Sequence, residues 1–435
     1  MSLDAAQKES PVVSSVDDLV RWMARGERKG PPLIGLEHEK ILYRVSDGAT
    51  VPYAGPHGVG AVFEGLTRFG WEPFRDVAGG PVIALTRGRA TLSLEPGGQL
   101  ELSGAPHANA QGCAEENRAH LDELRQVCAP LGLGAAAFGY RPFGALSDQH
   151  WMPKRRYEVM RRSLGARGAM AHDMMLMTAT GQVSVDWADE AECAAMFTLA
   201  SRAVPLFVAL YANSPLKQGQ PTGYLSWRSR VWTQVDAART GFPPHAVDGS
   251  FSYRAYVDWA LDAPLLFLRR DGEYLSPALT FRQFLAHGHD GQPARESDWV
   301  DHMSTLFPEV RLKRVLEFRS ADCCNAAMTA GLAAALRGLL YDRAAREAGL
   351  KLLPSRSAEK HTAQHEEAAR LGLGAPGVAS QCTELLEIAA SGLKDDDAAL
   401  LAPLLAVAKS GKSPAVAVLN APREPAALLA ASALW

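Results

Sequence analysis

The stretch ATLSLEPGGQLELSGAP, residues 90–106, carries the pattern that decides the fold. Thr91, Ser93 and Glu95 alternate with Leu92 and Leu94. Beyond Pro96-Gly97-Gly98, Gln99, Glu101 and Ser103 alternate with Leu100 and Leu102. Successive strand residues face opposite sides, so this reads as half-buried strand with one polar face and a turn or bulge in its middle. Three other stretches share the pattern. In IGLEHEK (34–40), Glu37 and Glu39 fall on one side. In GQVSVDW (181–187), Gln182, Ser184 and Asp186 oppose Val183, Val185 and Trp187, and in RVLEFRSAD (314–322) Glu317 and Arg319 share a side. Strands with one polar face, in an irregular order among helices, predict an α+β protein. Its sheet is expected to be antiparallel with helices on one side, not doubly wound and parallel.

Helical spacing of apolar residues predicts helices over 15–29, with Val16, Leu19, Val20 and Met23 on one face, and over 59–70, 108–130 and 189–211. From about residue 326 alanine and leucine dominate. Gly392 and Gly411 read as helix stops and Asp395 as a start, which predicts four or five helices and little chemistry. The expected organisation is a catalytic core over residues 1–325 and a helical region, 326–435, packed on it.

The 435 residues exceed one ordinary compact core, so one large domain with appendages or two closely packed lobes is expected. A hydrophobic share of 47%, a charged share of 21% and a net charge of −3 suit a soluble enzyme. No basic stripe is interleaved with aromatics, so a nucleic-acid partner is not expected. The most apolar run, residues 194–214, carries Arg202 and Pro205, so no membrane partner is expected either. The polar N-terminus of mixed charge resembles neither a signal nor a transit peptide, which predicts a cytoplasmic protein. Six irregularly spaced cysteines, two of them adjacent at 323 and 324, read as free thiols. Oligomeric state is not legible.

The polar strand faces collect Glu37, Glu39, Glu95, Glu101, Gln182 and Glu317. Any one of these acids could line a solvated strand. So many together would repel one another wherever water is excluded, and a hard divalent cation with oxygen ligands removes that repulsion. Mg²⁺ fits, and it brings nucleotide phosphates with it. Guanidinium groups suit the same chemistry: EVRLKRVLEFR supplies Arg311, Lys313, Arg314 and Arg319, and LSWRSRVW supplies Arg228 and Arg230. Such forks grip carboxylate and phosphate, though beside acids they serve equally well as ion pairs. Familiar templates fail. SGKS (410–413) lacks the first glycine of a phosphate-binding loop, no G-x-G-x-x-G follows a strand, and no G-x-S-x-G is present. His361 and His365 in HTAQHEE stand one turn apart without the H-E-x-x-H pattern, and read as an exposed helix face.

IGLEHEK, LSLEPGGQLELSGAP, MPKRRYEVM, DMMLMTATGQVSVDW, GYLSWRSRVWTQVDAARTG and LFPEVRLKRVLEFRSAD, in that order between residues 34 and 322, resemble the plant and proteobacterial type of glutamate–cysteine ligase. The resemblance implies a fold related to the catalytic domain of glutamine synthetase, a curved antiparallel sheet forming a funnel with helices outside. It also implies ATP-dependent ligation of L-glutamate, through γ-glutamyl phosphate, to L-cysteine, the first step of glutathione synthesis. Carried over residue by residue, Glu37, Glu39, Glu95, Glu101, Gln182 and Glu317 would hold Mg²⁺. Arg319 would stabilise the transferring phosphoryl group, and Arg311 and Arg314 would lie near the ATP phosphates. Arg228 would clamp the glutamate carboxylate, Trp232 and Tyr157 would shape the amino-acid pocket, and Arg156 is a further candidate. Ser320 stands where the family usually has glycine. The open alternatives are a ligase of the same mechanism with another amine acceptor or serving another thiol pathway such as ergothioneine, a metal-independent glycoside hydrolase with paired carboxylates, and a catalytically inactive binding module.

Overall fold

A nine-stranded sheet, every pair of it antiparallel, organises the chain in this computed structural model, which describes residues 10–435. Its strands are β1 (Ile34–Arg44), β2 (Glu72–Phe74), β3 (Ala84–Arg87), β4 (Ala90–Leu94), β5 (Leu100–Ser103), β6 (Leu133–Ala136), β7 (Thr180–Val185), β8 (Val310–Leu312) and β9 (Leu316–Asp322). They lie in the order β8-β9-β7-β1-β5-β4-β3-β2, and β6 pairs with the C-terminal half of β1.

The opening motif forms the β4–β5 hairpin. Its turn needs glycine twice over: Gly98 has φ +83°, and a Cβ on Gly97 would come 2.3 Å from the Leu176 carbonyl oxygen. The register then fixes which polar groups meet. Glu39 lies opposite Glu101, Glu37 lies opposite Gln182 and Ser103, and Arg311 lies opposite Glu317. Between Phe318 and Ala321 the β9–β7 register shifts. This irregularity falls on Arg319 and Ser320 and re-aims the backbone beside the acid cluster.

Helices cover the apolar face of the sheet. The principal ones are α1 (Ala110–Cys128), capped by the Asn109 side chain; α2 (Glu190–Tyr211), capped by Asp189; and α3 (Ala326–Tyr341), capped by Asn325. α1 packs on β1, α2 on β9, and α3 on β7 and β1. Leu36, Val183 and Phe318 of the sheet share one core with Phe207, Leu332 and Leu336 of α2 and α3. α2 is long and apolar enough to cross a membrane, but 83% of its most apolar window is buried inside the protein.

Two expectations change here. Between Ala326 and Ala431 there are eight α-helices among the described residues, not four or five. Three of them have seven residues or fewer, too short for periodicity to register. His361 and His365 are each 2% exposed, not an exposed helix face. Their helix, Ala358–Leu371, lays that face against α2 and Phe242, where His361 Nε2 meets the Ser201 carbonyl at 3.1 Å. All six cysteines are free thiols, and all are buried.

Candidate active site

The polar face of the sheet gathers the predicted acids around two recesses. The larger, about 490 Å³, is bordered by Arg28, Lys29, Arg89, Asp186, Glu37 and Glu317. The narrower is lined by Glu39, Glu95, Thr180, Arg228, Trp232 and Arg319. The even spacing of strand side chains explains the arrangement: Glu37 and Glu39 leave β1 on one side, while His38 between them and Lys40 beyond them are buried on the other.

Burial and the neighbouring Glu101 and Glu317 push the Glu37 carboxyl up to about 8, against the pull of Lys313 and Arg319. Burial, with Glu95 and Glu101, raises Glu39 well above the carboxylate range. Burial and Glu101 raise Glu95. Three carboxyls thus resist ionising together, as like charges do when water is withdrawn. Glu39 is partly relieved by hydrogen bonds from the Thr180 N–H (3.0 Å) and Gln182 Nε2 (3.3 Å). Among the described residues no three acids converge at metal-ligating distance as their side chains stand. Their donor chemistry, oxygen only and mutually repelling, fits a hard cation.

Glu317 behaves differently. Burial alone would raise its carboxyl, but Arg311, Lys313 and Arg319 outweigh that and hold it at about 2. Arg311 Nε and Lys313 Nζ each approach a Glu317 oxygen at 2.5 Å. Arg319 Nη1 donates to Gln182 Oε1 at 2.6 Å and lies 3.8 Å from Glu317, so its guanidinium stands between the two recesses. Ser320 sits at the irregularity, and its hydroxyl donates to the Glu309 carbonyl at 3.2 Å.

Arg228 Nη2 donates to the Arg319 carbonyl at 2.8 Å, while Arg228 Nε and Trp232 Nε1, both buried, have no acceptor. Two stranded donors in one recess are a demand for an acceptor such as a carboxylate. Two other predicted residues, Tyr157 and Arg156, stand close enough to Glu95 to interact with its charge. Tyr157 donates its hydroxyl to the Leu94 carbonyl, so it braces the β4–β5 turn. The Arg156 guanidinium lies 5.9 Å from the Phe267 ring centre. Arg314 is exposed and rests over Trp22, 5.0 Å from its ring centre, because it lies in the turn that joins β8 to β9.

Sequence reasoning did not single out Arg28, Lys29 and Arg89 at the larger recess. Arg28 and Lys29 stand beside the Gly30-Pro31-Pro32 break that precedes β1, a signal that was present. Lys154, half-buried and bearing its charge on Glu95, lay within MPKRRYEVM.

Comparison with known proteins identifies the family. The model of glutamate–cysteine ligase family 2 (GCS2) matches residues 33–428. The chain belongs to this family. It is 37% identical to the chloroplastic glutamate–cysteine ligase of Arabidopsis thaliana over 418 residues, 93% of this chain and 79% of that one. It is 36% identical to the chloroplastic glutamate–cysteine ligase A of Oryza sativa subsp. indica, over 96% of this chain and 86% of that one. Among solved structures it resembles a glutamate–cysteine ligase from Francisella tularensis in complex with AMP. The TM-score is 0.54 at 12% identity, over 93% of this chain and 88% of that one, which shows a shared fold. The enzyme is accordingly a glutamate–cysteine ligase, which joins glutamate to cysteine with ATP and supplies γ-glutamylcysteine for glutathione biosynthesis. The two plant relatives are named as chloroplastic enzymes, which overturns the cytoplasmic expectation drawn from N-terminal composition; residues 1–9 lie outside the described structure.

Proposed function

We propose that the two recesses divide the work of γ-glutamyl transfer, with Arg319 at their junction. The observation that carries this reading is the pair of unsatisfied donors, Arg228 Nε and Trp232 Nε1, in a recess that also holds Arg319. The larger recess, with Arg28, Lys29 and Arg89 on its walls, takes the nucleotide and directs its phosphates toward Glu37 and Glu317. The narrower recess takes glutamate, its carboxylate on Arg228. The γ-carboxylate oxygen attacks the terminal phosphorus of ATP, ADP leaves, and the cysteine amine then displaces phosphate from the acyl phosphate.

Glu37, Glu39, Glu95, Glu101 and Gln182, with Glu317, are the proposed Mg²⁺ ligands. The cation would supply the positive charge that lets buried carboxylates and phosphates share one space. Glu317 is the least free of the six, because Arg311 and Lys313 already occupy its oxygens. Arg311 acts chiefly by fixing Glu317. Arg319 stabilises the transferring phosphoryl group, whose charge grows in the transition state. Asp186 is a poor candidate for deprotonating the cysteine ammonium, since it accepts from the Leu33 N–H and the Tyr341 hydroxyl beside the other recess. All the proposed ligands precede residue 325, consistent with a catalytic core over residues 1–325.

ADP release measured with glutamate alone, with glutamate plus cysteine, and with other amines tests this. Slow release with glutamate alone, strong stimulation by cysteine and abolition by EDTA are expected. Undiminished turnover in EDTA would remove the metal, and stronger stimulation by another amine would change the acceptor.

A further inference from the structure

Beneath the segment that carries Arg228 lies a buried carboxylate that the mechanism above does not use. Asp322 ends β9, three residues beyond Arg319, and is 2% exposed. Its Oδ1 accepts a hydrogen bond from Ser226 Oγ (2.8 Å), and its Oδ2 accepts from Ser214 Oγ (2.6 Å) and the Asn213 N–H (2.8 Å). Each hydroxyl has one proton, and both protons point at Asp322, so the lone pairs of both oxygens face away from it. There they accept backbone donors: the Arg228 N–H reaches Ser214 Oγ at 3.1 Å, and the Ser229 N–H reaches Ser226 Oγ at 3.2 Å. These are N–H groups of the first turn of the helix Trp227–Trp232, which lack partners within the helix itself.

The carboxylate therefore orients two hydroxyls, and the hydroxyls hold the turn from which Arg228 projects. The far end of Arg228 is tied to the same strand, through Nη2 and the Arg319 carbonyl at 2.8 Å. β9 thus fixes Arg228 at its backbone through Asp322 and at its guanidinium through Arg319. Space for the carboxylate is reserved as well. A Cβ on Gly139 would lie 2.2 Å from Asp322 Cγ. From the opposite side His365 Nε2 meets Ser229 Oγ at 3.0 Å, and the Ala369 carbonyl accepts the Leu225 and Ser226 N–H groups. The clamp segment is held between β9 and a C-terminal helix.

We propose that Asp322 is a positioning residue for glutamate recognition, setting the Arg228 guanidinium relative to Arg319 through Ser214 and Ser226. This rests on the reading of Arg228 as the glutamate clamp. The test is steady-state kinetics of Asp322→Asn, Ser226→Ala, Ser226→Thr and Arg228→Lys in the full chain. Asparagine offers one acceptor oxygen where aspartate offers two, so one hydroxyl loses its orientation. KM for glutamate should rise about tenfold or more, the scale of leaving one buried partner unsatisfied, while KM for ATP stays within about twofold. Ser226→Ala should shift glutamate KM in the same direction by less, and Ser226→Thr should restore it. A merely structural carboxylate would lower kcat through loss of folded enzyme and leave both KM values alone, or would raise both together. Either result overturns the proposal. If Asp322→Asn does not fold, the Ser226 pair decides: an alanine variant with unchanged glutamate KM overturns it. Arg228→Lys separates the two readings. If it leaves glutamate KM unchanged, the clamp reading fails. If it raises glutamate KM while Asp322→Asn does not, only the positioning role of Asp322 fails.

Discussion

Arg319 is the side chain on which the site turns, because it touches Gln182, approaches Glu317 and lines the recess that holds Arg228. A fixed guanidinium costs no reorganisation as charge develops on the phosphoryl group, and lysine keeps the charge while losing the fork. Arg319→Lys should therefore lower kcat by about 10²-fold or more with little change in glutamate KM. A defect confined to glutamate KM would make Arg319 a substrate clamp instead. The placement of single residues was largely legible in the sequence: acids and arginines were expected together on polar strand faces, and Glu37, Glu39, Glu317, Arg311 and Arg319 meet there. Which arginine faces inward was less so. Arg311 and Arg314 look alike in EVRLKRVLEFR, yet one pairs with Glu317 and the other stacks outside on Trp22. What separates them is where β8 ends: Arg311 lies within the strand and Arg314 in the turn before β9.

At the scale of the element, β1 sets the site because it carries two acids of like charge between β5 and β7. Folding holds Glu37 near 8 where the unfolded chain would hold it near 4.5, so between those values the folded state binds the extra proton and loses stability as pH rises. Glu37→Gln removes that cost. In EDTA at pH 8.5 the variant should melt no lower than the wild type, and its Mg²⁺-dependent turnover should be abolished. Calorimetry beside an activity assay checks both, and a variant active at ordinary magnesium would take Glu37 out of the ligand set. The four strands with one polar face were readable from alternation alone. The break of register at Arg319 and Ser320 was not, because a bulge is specified by both paired strands together. The short helices after residue 394 escaped for a different reason, having too few turns to show a period.

Across the whole molecule, burial reaches ionisable groups far from the chemistry. His302 is 2% exposed, with Nε2 on the Ala260 carbonyl, and burial pushes it from near 6.5 down to about 3. The unfolded chain takes up a proton that the folded one refuses, so this contribution is intact above about pH 6.5 and is lost as pH falls below it. Replacing His302 by glutamine should cost stability at pH 7.5. By pH 5 the gap from wild type should narrow by about 2 kcal/mol, as urea unfolding at the two pH values can show; a constant gap would mean that His302 is not held neutral. The C-terminal helices belong to the same account, since sequence texture marked them as filler whereas His365 and Ala369 brace the segment that carries Arg228. The concealment of the thiols has a consequence for an enzyme whose acceptor is itself a thiol. Burial pushes Cys113, Cys128 and Cys382 up to about 12, and Cys193, Cys323 and Cys324 are raised as well. Exchange requires a thiolate within reach. Native protein should therefore resist iodoacetamide until unfolded and keep its activity in dithiothreitol. Free cysteine and cystine can then pass through the active site without becoming attached to the catalyst, which stays chemically deaf to the redox currency it helps to mint.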